Sequence, residues 1–162
     1  MSSKIILGID PGYGRTGYGV VARERGKFVC LDYGVITTSA DMDFSCRLHE
    51  LYLDLRKLIK KHHPDLIAVE DLFFYKNLKT AIKVGEARGV VLLTAIMAGV
   101  PIVEYTPLQV KQAISSYGRA EKKQVQEMVK IFLSLKSLPQ PDDAADALAI
   151  AICAGNSTAV GK

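Results

Sequence analysis

The sequence predicts an α/β fold in which a mixed five-stranded sheet is flanked by helices. Three observations carry that expectation. The β-branched, apolar run Lys4 to Ile9 stops at Asp10-Pro11-Gly12, as a buried strand stops at a turn. Two further strand-like stretches follow with no helix between them, so the first three strands run antiparallel in succession. Beyond them short apolar strands alternate with segments of helical periodicity, giving the order βββαβαβα without repeat or low-complexity linker. A length of 162 residues, 49% of them hydrophobic, supplies one real core, and a single domain over residues 1–162 is expected.

Element by element, Thr16 to Ala22 alternates, and Arg23-Glu24-Arg25-Gly26-Lys27 is a polar hairpin loop into the third strand, Phe28 to Thr37. From Asp43 to His62 the residues Leu48, Leu51, Tyr52, Leu55, Leu58 and Ile59 recur at helical spacing, and Pro64 closes the element. His62-His63 at the end of this basic helix complements its C-terminus and is assigned no metal. Leu66 to Val69 is a short strand with Glu70 at its end. Asn77 to Gly99 is helical, in two pieces around Gly85 and Gly89, with a second half that is apolar nearly all the way round. Ile102 to Glu104 is the fifth strand. Helices then span Leu108 to Ser116, Glu121 to Leu133 and Asp143 to Ala154.

Lys and Arg total 21 against 17 Asp and Glu, a net charge of +4. The resulting pI of about 8.9 suits a polyanionic partner without identifying one. Cys30, Cys46 and Cys153 are odd in number and lack a CxxC pair, so reduced core thiols are expected, with neither disulfides nor zinc. Together with an N-terminus that runs straight into a strand, without the features of a signal peptide, this predicts a cytoplasmic protein. The longest apolar stretch, Gly89 to Val103, is broken by Thr94 and Pro101 and is too short for a membrane span.

Four acids stand at element ends: Asp10 after the first strand, Glu70 after the fourth, and Asp143 and Asp146 at the start of the last helix. The last two are three residues apart and share a helix face. In sheets of this kind, sites gather where strands end and helices begin. Converging carboxylates repel one another unless they take up protons or cations. Hard oxygen donors without His or Cys select Mg²⁺ or Mn²⁺, and two such ions about 4 Å apart suit in-line attack of water on a phosphodiester. Each acid also has an ordinary reading. Asp10 before Pro-Gly can simply open a turn, Asp142 or Asp143 can cap the helix, and Glu70 can be a surface acid. Asp146 is harder to dismiss, because Ala147-Leu148-Ala149-Ile150-Ala151-Ile152 after it is apolar on every side.

Gly12-Tyr13-Gly14-Arg15-Thr16-Gly17 matches GxGxxG, with Asp32 twenty residues beyond Gly12. The match is a coincidence: Tyr18-Gly19-Val20-Val21-Ala22 is strand-like, whereas a dinucleotide fingerprint opens a helix.

Read together, Gly8-Ile9-Asp10-Pro11-Gly12 with Thr16-Gly17-Tyr18-Gly19, Val69-Glu70-Asp71-Leu72-Phe73, Ala87-Arg88-Gly89, Glu104-Tyr105 with Gln109-Val110-Lys111-Gln112, and Asp143-Ala144-Ala145-Asp146-Ala147-Leu148-Ala149 closely resemble the RuvC family of bacterial Holliday-junction resolvases. The resemblance runs in order along nearly the whole chain. It implies a ribonuclease H-like fold, a homodimer, and Mg²⁺-dependent nicking of two opposed strands of a four-way DNA junction in recombination and repair, with two Mg²⁺ per active site and Mn²⁺ as a substitute. It further implies RuvA and RuvB branch-migration proteins as partners. By position, the family's four catalytic, metal-holding acids fall on Asp10, Glu70, Asp143 and Asp146, some relatives having His at the position of Asp143. The resemblance gives Asp142 no role, and a helix cap is its expected use.

Phe73-Phe74-Tyr75 follows Glu70, where aromatics can stack on bases exposed at a distorted junction. The resemblance singles out Phe73 as the DNA contact, and it matches Lys111 and Lys122 to lysines near the scissile phosphate. Lys76, Lys79, Lys83, Arg119, Lys123 and Lys130 add charge, about half of it on solvated helix faces. The segment Val84 to Gly99 combines small residues with more apolar surface than one sheet contact consumes, which predicts a twofold dimer unless the Leu48 to Ile59 helix covers it. The alternative function is a ribonuclease H-type hydrolase of RNA-DNA hybrids, which would share the fold and the acids. An actin-like kinase would need a second such domain, and a catalytically dead junction binder would have no use for four acids.

Overall fold

The computed structural model describes residues 3–71, 78–116 and 118–157. β1 (Lys4–Asp10) lies at the centre of the sheet. β2 (Arg15–Glu24) and β3 (Lys27–Thr37) continue it antiparallel on one side, and β4 (Leu66–Glu70) and β5 (Ile102–Tyr105) run parallel on the other, in the order β3-β2-β1-β4-β5. The turn between β2 and β3 is tighter than the sequence predicts. Only Arg25 and Gly26 separate the strands, both at positive φ, as the right-handed twist of a two-residue hairpin requires. β2 begins at Arg15, inside the GxGxxG match, so no helix N-terminus faces those glycines.

Strand alternation divides the core into two layers. Leu7, Ile9, Val20, Ile67 and Val69 face α1 (Phe44–His62) and α2 (Leu78–Met97), meeting Leu51, Leu55, Ile59, Ala87, Val91 and Ala95. Ile6, Val21, Phe28 and Ala68 face α5 (Asp142–Ser157). α3 (Pro107–Ser115) and α4 (Lys122–Phe132) pack on the far side of α5 through Val110, Ile114, Val125 and Val129. α5 is therefore enclosed between the sheet and a second helical layer, which explains why it has no polar face beyond its first turns.

α1 ends at His63, in the left-handed region with its N–H on the Ile59 carbonyl. His62 turns back to the sheet, its Nε2 2.9 Å from Asp32 on β3, where Lys61 Nζ also binds at 2.8 Å. Burial works against the Asp32 anion, but these two partners hold its carboxyl below the usual range.

α2 is one unbroken helix and not two pieces. Glycine weakens a helix without interrupting its backbone hydrogen bonds, and the fully buried Ala87, Val91 and Ala95 bind this one to the sheet. α1 packs beside α2 but leaves Ile82, Leu93, Ile96 and Met97 exposed by 58–68%. No helix among the described residues is long and apolar enough to cross a membrane.

Candidate active site

The alternation that sorts the core also sorts the acids. Asp10 follows Gly8 on the α5 side of β1, and Glu70 follows Ala68 on the α5 side of β4. The parallel pairing Ile9 to Val69 makes these two strand ends neighbours. α5 brings Asp143 and Asp146 to the same edge, because it lies unusually close to the sheet. A Cβ on Gly8 would collide with the Ala147 carbonyl, and one on Gly17 with the carbonyl of Asp143 itself. The two glycines are thus the seat that fixes how far α5, and with it both acids, reaches over the strand ends.

All four acids are half-buried. The Asp10 pKa is pushed up to about 9, first by burial and then by the neighbouring Glu70, Asp146 and Asp143. Burial also raises Glu70, against the pull of the hydrogen bond from Asp10 and the charges of Lys111 and Lys122. Asp146 is raised by burial too, with Lys122 opposing. A site that keeps a proton on one carboxyl at neutral pH carries more negative charge than its own cations offset.

Those cations are identifiable. Lys122, the first residue of α4, places Nζ 3.2 Å from Asp142 and 3.5 Å from Asp146. Arg15 Nε lies 3.0 Å from Asp143. Lys111 projects from α3, which is started by a Thr106 and Gln109 capping box, and it acts on Glu70 by charge alone. An open cleft lined by Arg15, Lys122, Pro141, Asp142 and Asp143 adjoins the acids.

Among the described residues no three acidic, His or Cys side chains stand close enough together to grip one metal ion. Asp143 is engaged by Arg15 and Asp146 by Lys122. The donor set nonetheless fits a hard divalent cation: it is all carboxylate, desolvated and short of positive charge.

Asp142 is not the helix cap the sequence suggests. It is the first residue of α5, and the Pro141 carbonyl accepts from the N–H groups of Ala144 and Ala145. Its carboxylate binds Lys122 and accepts from Gln126 Nε2 at 3.0 Å, tying the start of α5 to α4. Phe73, with Phe74, Tyr75 and Lys76, lies outside the described residues. Lys83 stands over the rings of Tyr13 (5.7 Å) and Phe44 (5.4 Å), and Arg47 reaches the Tyr13 carbonyl at 3.3 Å. Arg15, Arg47 and the two seat glycines are absent from the sequence-derived site. The available signal was small residues on both strands opposite an alanine-rich helix.

A family model, crossover junction endodeoxyribonuclease RuvC, matches residues 6–154. A protein of Ruminiclostridium cellulolyticum bearing that same description is 60% identical over 157 residues, 97% of this chain and 95% of its own. Among solved structures, Thermus thermophilus RuvC superposes with a TM-score of 0.90 at 39% identity, covering 97% of this chain and 96% of that one. The same organism's RuvC in complex with Holliday junction substrate gives 0.88 at 37% identity, covering 98% and 96%.

Proposed function

The chain belongs to the RuvC family of crossover junction endodeoxyribonucleases, and from that premise we propose that it resolves four-way DNA junctions with Asp10, Glu70, Asp143 and Asp146 as its catalytic acids. The observation that carries the assignment is convergence. Three elements, β1, β4 and α5, bring four carboxylates to one edge, and the local charge there is unbalanced enough to protonate Asp10. The family's chemistry is metal-dependent, and the finer reading is two Mg²⁺ per site, replaceable by Mn²⁺, held by these four acids. When bound, the ions activate water and neutralise charge on the phosphate.

The chain's own residues do the rest. Asp10, Glu70, Asp143 and Asp146 would hold the ions as carboxylates, and Lys122 with Lys111 beside Glu70 would stabilise the charge that builds on the scissile phosphate. Phe73 stacks on a base opened at the junction, and the basic residues of α2 to α4 follow the DNA backbone. Two sites in a homodimer nick two opposed strands, on junctions handled by RuvA and RuvB.

Incubation with a synthetic four-way junction, a linear duplex and an RNA-DNA hybrid tests the reading. Paired nicks in the junction are expected with Mg²⁺ or Mn²⁺, and junction binding without cleavage in chelator. Cleavage in chelator overturns the ion-dependent site, and preferential cutting of the hybrid favours the ribonuclease H-type alternative.

A further inference from the structure

The face of β4 opposite Glu70 holds a second charged cluster that the reaction described above does not use. Arg88, on α2, sends its guanidinium between two acids: Nη2 bonds Glu104 of β5 and lies 3.5 Å from Asp71, the residue after Glu70. We propose that Arg88 is a positioning residue for strand cleavage, which bridges Asp71 and Glu104 and so fixes the Glu70 carboxylate on the other side of the sheet. The proposal deepens the preceding one and rests on Glu70 being an ion-holding acid.

Glu70 is the last residue of β4 and pairs with Tyr105, the last of β5. Strand ends are where a sheet opens first. The ladder is extended here by one bond, from the Asp71 N–H to the Tyr105 carbonyl at 2.8 Å. Beside it, Val69 registers with Glu104, so Asp71 and Glu104 carry like charges to neighbouring strand ends and would push them apart. Arg88 reverses that repulsion.

The support behind the guanidinium is rigid, since the preceding residue, Ala87, is wholly buried and Val91 anchors the next turn. Both acids are met by one nitrogen, Nη2, at the far end of the side chain, and a lysine, whose ammonium falls at the position of the guanidinium carbon, ends one bond short of it. Arg88 also holds a cost. Its Nε, like that of Arg23, is buried with no hydrogen-bond partner among the described residues. An acid that holds a catalytic ion must stay within about 0.5 Å of its working position.

R88K is the decisive variant, because it keeps the charge but places no nitrogen where Nη2 meets Asp71 and Glu104. Its melting temperature should fall only slightly, the loosening being confined to the ends of β4 and β5, and its junction affinity in chelator should match wild type. Mn²⁺ binding to the DNA-free protein, followed by electron paramagnetic resonance, should weaken, and single-turnover cleavage at saturating junction should fall roughly ten-fold or more, partly recovered at higher Mn²⁺. E104Q should move both readouts the same way by less, and R88K/E104Q should be no worse than R88K, since both cut one clamp. Wild-type Mn²⁺ binding and cleavage by R88K overturn the proposal, as do effects that simply multiply. If R88K does not fold, normal Mn²⁺ binding and cleavage by folded E104Q overturn it. E70Q separates the two readings. Full cleavage by E70Q removes Glu70 and the preceding assignment, whereas inactive E70Q beside fully active R88K removes only the role of Arg88.

Discussion

Asp10 shows most directly how function works against stability. Its carboxyl titrates at about 9 in the folded protein and in the ordinary carboxylate range, near 3.9, when unfolded. Between those values the native state binds the extra proton, so the ion-free protein loses stability as pH rises from about 4 to about 9. Asp10→Asn keeps a hydrogen-bond donor toward Glu70 and has no such slope. Thermal melting in chelator should therefore show the variant above wild type, by a margin that widens from pH 6 to pH 8.5, although it no longer cuts junctions. Identical pH dependence in the two proteins would remove the buried-charge argument. At this scale the acids themselves are legible in the sequence, because strand ends and i,i+3 spacing mark them. Their counter-charges are not. Arg15 meets Asp143, and Arg88 meets Glu104, only through the fold, and neither distance along the chain has a period to read.

Among the elements, α5 is the one whose sequence looked least comfortable and proved best explained. An apolar surface all round predicts cover on more than one side, and the sheet with α3 and α4 supplies it. What patterning leaves invisible is height above the sheet, set by Gly8 and Gly17. Gly17→Ala places a methyl against the Asp143 backbone and must lift the start of α5, at about 1–3 kcal/mol or more. Gly8→Ala does the same one turn further on, against Ala147. Circular dichroism melting should record both losses, and Gly17→Ala should reduce junction cleavage per folded molecule more than Gly8→Ala does. Equal cleavage by the two would mean that the position of Asp143 does not matter. The predicted break in α2 failed for a related reason. Propensity warns of Gly85 and Gly89 but is silent about the packed face between them.

For the molecule as a whole, Ile82, Leu93, Ile96 and Met97 form an exposed apolar stripe along α2, and Gly89 lies open on the same side. Helix α1 borders it only at the Met97 end, where Tyr52 and Arg56 line a groove with that side chain. A second copy related by a twofold axis would bury the stripe against itself and set two active sites facing two like strands. Sedimentation equilibrium should give about twice the 17.7 kDa chain mass. Leu93→Glu, which introduces facing charges at the centre of such an interface, should give monomers that still melt cooperatively but release single nicks instead of paired ones. A monomeric variant that keeps making paired nicks would remove the geometric link between dimer and product. Because α2 also carries Arg88, the apolar stripe and the residue proposed to support Glu70 share one helix.

The enclosure of α5 has a consequence during synthesis. Two of the four acids arrive on the final described helix, so a ribosome-bound chain can pair all five strands and still lack half of its acids. Until residues 142–157 emerge, Ile6, Val21 and Ala68 face water with nothing to cover them, and Asp10 and Glu70 have no partner acids across the edge. A chain cut before this helix would leave that face bare and would lack both Asp143 and Asp146.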